Sequence, residues 1–139
     1  MIDQLKKQRI LLVDDEPDIA FAFSIGLEDN GFVVDSFNDP LLALQSFKET
    51  RDGKENDLYA VAILDIKMPK MNGFELYNEI RKIDDKIKIC FVTAFEIQKD
   101  QHFDYIVKST DKDKPVFIRK PIDIKDLVAK IQEIIPTSI

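Results

Sequence analysis

Ala60-Val61-Ala62-Ile63-Leu64-Asp65-Ile66-Lys67-Met68-Pro69-Lys70-Met71-Asn72-Gly73 runs an apolar segment of strand length into a single carboxylate, Asp65. A loop punctuated by Pro69 and Gly73 follows, and a helical pattern begins at once. An apolar run this continuous suits a strand buried on both faces, as in a parallel sheet. In such sheets ligands sit outside the carboxyl ends of the strands. Asp65 is therefore expected at the rim of a cleft. Taken alone, an Asp after a strand is more readily a helix cap or turn residue. Two further stretches change its meaning: Leu11-Leu12-Val13-Asp14-Asp15-Glu16-Pro17 upstream and Phe117-Ile118-Arg119-Lys120-Pro121 downstream.

Working outward, Arg9 to Val13 reads as a first strand, and Pro17 suits the first turn of a helix. Ile19, Ala22, Phe23, Gly26 and Leu27 fall on one helical face, and Asn30-Gly31 ends the helix. Phe21 and Ile25 lie off that stripe, and mark either a more widely buried helix or an apolar docking patch. Phe32 to Phe37 reads as a second strand. Asp39-Pro40 looks like a cap followed by a first helical proline, with Leu41, Leu44 and Phe47 at helical spacing. Tyr59 to Leu64 is the third strand, and Gly73 to Ile83 is a helix with Phe74, Tyr77 and Ile80 on one face. Ile87 to Val92 is the fourth strand, with Thr93-Ala94 at its end. The polar stretch Phe95 to Lys114 has weak periodicity at Phe103, Ile106 and Val107 and is expected to hold a short or mobile helix. Val116 to Ile118 is the fifth strand. Asp123 with Asp126 resembles a capping arrangement before the stripe Ile124, Leu127, Val128, Ile131, Ile134 and Ile135. This alternation predicts an α/β fold, a doubly wound five-stranded parallel sheet with right-handed crossovers.

The 139 residues suit one domain, 1–139, with a core over about 9–135. The 45% apolar content favours folding, and the net charge of −6 argues against a general affinity for nucleic acid or anionic membrane. No apolar run approaches the ~18 residues of a spanning helix. One cysteine, Cys90, makes no internal disulfide, which fits a reducing cytoplasm, the expected location. Cys90 reads as a small core residue, and His102 as a surface or helix residue.

Strands side by side bring four strand ends together, with Asp14 and Asp15, Asp65, Thr93, and Lys120. Each alone has a plain alternative: caps, a strand-end hydroxyl, a surface lysine. Together they form a chemical inventory. Clustered carboxylates repel unless neutralised, and Mg²⁺ favours one or two carboxylates plus waters and a phosphate oxygen. A carboxylate can act as a nucleophile and form an acyl phosphate. Lys120 supplies a point charge, and Thr93 a hydroxyl for one phosphoryl oxygen. Phosphoryl transfer needs mostly positioning and electrostatic stabilisation.

With these motifs in place, the chain resembles the receiver domain of two-component response regulators over essentially its whole length. The resemblance rests on Val13-Asp14-Asp15-Glu16-Pro17, Asp65-Ile66-Lys67-Met68-Pro69 with Met71-Asn72-Gly73, Thr93-Ala94, and Phe117 with Lys120-Pro121. It implies a flavodoxin-like (βα)5 fold with strand order 2-1-3-4-5. It implies that Asp65 is the phosphoacceptor, served by a sensor histidine kinase or phosphotransfer protein. Asp15 would bind Mg²⁺ directly, Asp14 through water, and the Lys67 backbone carbonyl would be a further ligand. Thr93 and Lys120 would contact the phosphoryl group, and Phe117 would be the switch aromatic. The product would be a phosphoacceptor switch that catalyses only its own phosphorylation and dephosphorylation. Its output would pass to a downstream protein, with no direct nucleic-acid or membrane contact, and homodimerisation on phosphorylation is one route.

The chain departs from the family in length, with extra residues in the charged loop from Arg51 to Asp57 and in Phe95–Lys114. Lys67 and Phe95, two positions after Asp65 and Thr93, are expected to slow loss of the phosphoryl group. Rival readings are open too. A phosphohydrolase built on Asp65 commonly needs a second acid two residues on, where this chain has Lys67. A flavin or nucleotide carrier would need a phosphate-cradling loop after strand one, where this chain has three acids. A phosphorylation-independent scaffold would not need the acidic set.

Overall fold

The structure, a computed structural model, describes residues 7–51, 58–94 and 115–135. The elements are β1 (Arg9–Val13), α1 (Pro17–Asp29), β2 (Val33–Phe37), α2 (Pro40–Arg51), β3 (Val61–Leu64), α3 (Gly73–Ile83), β4 (Lys88–Thr93), β5 (Val116–Arg119) and a last helix, α4 (Ile124–Ile134). All five strands pair in parallel in the order β2-β1-β3-β4-β5. The expected sheet and its order are both present. The helix expected between β4 and β5, with Phe95 and His102, falls outside the described residues, as do residues 52–57. Among the described residues no helix is long and apolar enough to cross a membrane.

The strand alternation sets the two layers, because successive side chains point to opposite faces. Leu11, Val13, Ala62, Leu64, Ile89 and Phe91 face Ala43 and Phe47 of α2 and Phe74, Leu76, Tyr77 and Ile80 of α3. Ile10, Leu12, Val61, Ile63, Cys90 and Val92 face Ala20, Phe23 and Leu27 of α1 and Leu127, Val128 and Ile131 of α4. Burial pushes the Cys90 thiol up to about 12, so at neutral pH it is an inert core group, as expected. Gly26 lets α1 and α4 touch: a Cβ there would lie 2.1 Å from Ile124 Cγ2.

Helix ends follow local chemistry. Gly31 takes a φ of +94° just past α1, the conformation a glycine accepts without steric cost. Asn72 and Glu75 form a reciprocal capping box at the start of α3. Three expectations are corrected. Ala20 rather than Ala22 belongs to the buried face of α1, and Leu41 on α2 is exposed. In both cases the sheet-facing side of the helix is rotated away from the expected residue. Asp123 occupies the N-cap of α4 but makes no side-chain cap hydrogen bond. Its carboxylate acts there only through the helix dipole, with Asp126 in the first turn.

Away from Asp65, Asp35 of β2 joins Arg9 of β1 to Tyr59, just before β3, and Tyr59 in turn reaches α2. Arg9 donates to Asp35 from Nε and Nη2 at 3.1 and 2.9 Å, and Tyr59 donates its hydroxyl. The Tyr59 ring stacks on Phe47, and its oxygen lies 3.2 Å from Ser46 Oγ. Burial, with Asp35 beside it, raises the Tyr59 pKa above that of free tyrosine. Folding therefore favours the protonated phenol, and its stabilisation is full below the unfolded pKa and lost as pH rises through the folded one. Tyr59→Phe is expected to cost about 1–2 kcal/mol in neutral urea unfolding. The same variant should lose less stability than wild type between neutral pH and strongly alkaline pH.

Candidate functional site

The sheet delivers its chemistry at the carboxyl edge. Val13 is level with Leu64, and Leu64 with Phe91, so Asp14 follows β1 at the height where Asp65 follows β3. Thr93 ends β4 level with Arg119, and the Lys120 amide donates to the Thr93 carbonyl at 2.9 Å. Residues far apart in the chain thus meet because parallel strands start and stop together.

Asp14, Asp15 and Asp65 each offer a carboxylate oxygen within 4.8 Å of the others. Asp14 and Asp65 are almost wholly buried and Asp15 partly so. The two buried carboxylates are held alike. Oδ1 of Asp14 accepts the Glu16 amide at 2.9 Å, and Oδ1 of Asp65 accepts the Ile66 amide at 2.7 Å. Their Oδ2 atoms both turn to Lys120, whose Nζ is 2.7 Å from Asp14 and 3.4 Å from Asp65. The Lys120 side chain is only 9% exposed, and Glu16 stands 3.5 Å away at its outer side.

Burial and the neighbouring charge of Asp14 raise the Asp65 pKa, outweighing Lys120, the Ile66 amide and the Thr93 hydroxyl, which pull it down. Burial works against the Lys120 ammonium, but the Asp14 hydrogen bond and the charges of Asp65 and Asp14 leave its pKa raised. Among the described residues the site thus sets the Lys120 ammonium among the carboxylates of Asp14, Asp15 and Asp65, with Glu16 at its outer side. The donor set fits a hard divalent cation. Such an ion takes carboxylate oxygens, a backbone carbonyl and water as ligands, and Asp14, Asp15 and Asp65 would supply the carboxylates.

The structure brings Asp14, Asp15, Asp65, Thr93 and Lys120 together as the strand ends suggested. Lys67 lies in the loop after Asp65 with its side chain exposed. Phe117 sits half-buried on β5, its ring stacked 5.2 Å from that of Phe91. Phe21 is 69% exposed and Ile25 44%, so the wider-burial reading of α1 is set aside. A groove lined by Ile19, Ala22, Phe23, Pro121, Ile122 and Ile124 runs between α1 and the start of α4 up to Lys120. Two features escaped the sequence reading. Glu16 as a Lys120 partner was legible in the acidic motif. The Lys70–Asp39 ion pair, 2.8 Å long across 31 residues, carries no local signal.

Comparison with known proteins agrees with this geometry. Residues 10–132 match the family model of the response regulator receiver domain. The chain is 32% identical over 130 residues to a transcriptional regulatory protein, a CpxR homolog of Haemophilus influenzae, covering 94% of this chain and 51% of that protein. It spans about half the length of several curated relatives it matches. Among solved structures, a CheY-like receiver domain protein of Methanospirillum hungatei superposes with a TM-score of 0.75 at 28% identity, covering 92% of this chain and 93% of that one. The response regulator TrrA of Thermotoga maritima, in complex with Mg²⁺ and BeF, gives 0.72 at 28% identity, covering 91% and 98%. Five parallel strands in the order 2-1-3-4-5, an acidic cluster at their carboxyl edge and a family match over nearly the whole chain lead to one conclusion: this chain belongs to the response regulator receiver domain family, the signalling switches of two-component systems.

Proposed function

We propose that Asp65 accepts a phosphoryl group from a phosphohistidine on a sensor histidine kinase or phosphotransfer protein, and that Mg²⁺ is held by Asp14, Asp15, Asp65 and the Lys67 backbone carbonyl. The observation that carries this reading is the placing of Asp65 and Lys120 beside two further carboxylates. Mg²⁺ supplies charge neutralisation for the entering phosphoryl oxygens when bound. That TrrA is described with Mg²⁺ and BeF supports this choice of ion.

Asp65 Oδ1 is occupied by the Ile66 amide, so Oδ2 is the oxygen presented to a donor. It forms the new O–P bond as the P–N bond to the donor imidazole breaks and the electron pair returns to that nitrogen. Lys120, already within reach of Oδ2, moves its charge onto a phosphoryl oxygen, and Thr93 offers its hydroxyl to another. The added charge and acceptor oxygens favour the conformation in which Thr93 reaches them, and Phe117 then turns inward into the space that Thr93 vacates. A phosphoryl group biases this equilibrium only by its differential contacts. The exposed Phe21 and Ile25 and the groove beside Lys120 suit an apolar helical donor surface.

The test is intact mass after incubation with acetyl phosphate and Mg²⁺. Wild type should gain about 80 Da, one phosphoryl group, only with Mg²⁺, and Asp65→Asn should gain none. The same variant should melt higher than wild type at neutral pH without Mg²⁺. A raised folded pKa means that folding favours the neutral carboxyl, so that contribution is lost as pH rises through the folded value. Asparagine stays neutral and keeps it. A gain of mass by Asp65→Asn, or none by wild type with a phosphorylated kinase, would sink the proposal.

A further inference from the structure

We propose that Lys70 and Asp39 form a clamp that positions the β3–α3 loop for metal binding, Lys70 acting as a positioning residue and not as a ligand; this rests on the Mg²⁺ reading above. The loop is held at its base, where the Gly73 amide donates to the Ile66 carbonyl at 2.7 Å. Its inner side is held by Met68 and Met71, packed on the core. Lys70 is its outward side. Lys70 has a φ of +73°, and it is the only non-glycine residue with positive φ among those described. An L-residue with a Cβ is disfavoured there, so something must hold it.

The hold is Asp39. Its Oδ2 accepts from Lys70 Nζ at 2.8 Å, while its Oδ1 accepts the Leu41 amide at 2.9 Å and caps α2. Both oxygens are engaged, so Asp39 ties the loop to the first turn of α2. The Lys70 hydrogen bond lowers the Asp39 pKa, which keeps the acceptor ionised. Lys67, the residue whose carbonyl is proposed as a ligand, lies three positions before Lys70 in the same loop. A carbonyl has no side-chain rotamers with which to find an ion. Its position is the position of the loop, and every freedom left in the loop is lost again on binding.

The clamp predicts a graded effect on Mg²⁺ affinity. By calorimetric titration of the full chain, Lys70→Met and Asp39→Asn should each bind Mg²⁺ about threefold more weakly than wild type. Asparagine retains the acceptor for Leu41, so that loss reports the ion pair and not the cap. Lys70→Arg keeps the charge and should restore near wild-type affinity. The double variant should be no weaker than either single one, because both remove the same interaction. The gap between wild type and Lys70→Met should narrow at high salt, since the pair borders on solvent. A merely structural pair would move thermal stability without moving Mg²⁺ affinity. Unchanged affinity in Lys70→Met, or a double variant weaker by the product of the singles, overturns the clamp while the metal reading stands. A wild type that binds no Mg²⁺ at millimolar concentration overturns the metal reading, and the clamp falls with it.

Discussion

Gly73→Ala should lose about 3 kcal/mol of stability, a fall in Tm on the order of 10 °C, and phosphoryl uptake should slow about 100-fold. The cause is a collision with backbone. A Cβ on Gly73 would stand 2.1 Å from the Asp65 carbonyl oxygen and 2.9 Å from Ile66 Cα. Neither atom can rotate aside as a side chain could, so α3 must back away from the end of β3. That movement opens the hydrogen bond from the Gly73 amide to the Ile66 carbonyl. It also turns the peptide whose neighbouring amide fixes Asp65 Oδ1. Stability and chemistry therefore fall together, which urea unfolding and the mass assay can measure on one sample. An alanine variant with wild-type stability and uptake would mean that the approach of α3 to Asp65 is not close.

Lys120→Met should give the second large effect, and it separates two roles of one ammonium. Without Lys120, the carboxylates of Asp14, Asp15 and Asp65 lie within 4.8 Å of one another and lose the ammonium that Asp14 and Asp65 share. Removing one partner from a buried pair is strongly destabilising. Because this site opens to solvent at Asp15 and Glu16, the expected loss without metal is about 2–3 kcal/mol, below that for a fully interior pair. Mg²⁺ should then bind about four- to tenfold more tightly, because a competing positive charge near the carboxylates is gone. Adding Mg²⁺ should accordingly raise the Tm of the variant more than that of wild type. Uptake from acetyl phosphate should still be largely lost, since the charge meant for the phosphoryl oxygen is missing. Thermal melts with and without Mg²⁺, beside the mass assay, test all three outcomes. Equal Mg²⁺ shifts in both proteins would show that Lys120 does not share the carboxylates' field.

Much of this is legible in the sequence alone. The continuous apolar runs of β1, β3 and β4 required a sheet covered on both faces, and the alternation of strand and helix required parallel strands. Once strands are parallel, Asp14, Asp65, Thr93 and Lys120 must gather at one edge, because each follows or ends its own strand. The strand order 2-1-3-4-5 came from family resemblance and not from the pattern, since hydrophobic spacing is blind to which strands neighbour each other. Exposure of individual helix residues does not follow from their spacing. Ala22 and Leu41 are apolar at helical spacing, yet both are exposed. The stripe of a helix fixes which residues share a side, and only packing on the sheet fixes how that side is turned.

The sequence by itself determined the alternating elements, the two apolar layers and the list of reactive residues, because these depend on local periodicity and on where each strand ends. Tertiary structure decided what depends on contacts between distant segments. It assigned the two oxygens of Asp14 and Asp65 to separate tasks and set Lys120 between them. It brought Gly73 against the Asp65 carbonyl, so that a missing side chain became a requirement of the site. It joined Lys70 to Asp39 across 31 residues, which no local pattern encodes. Directional contacts of a few ångströms arise only after the sheet has fixed the distances between its strands, whereas hydrophobic periodicity acts along the chain before the sheet exists.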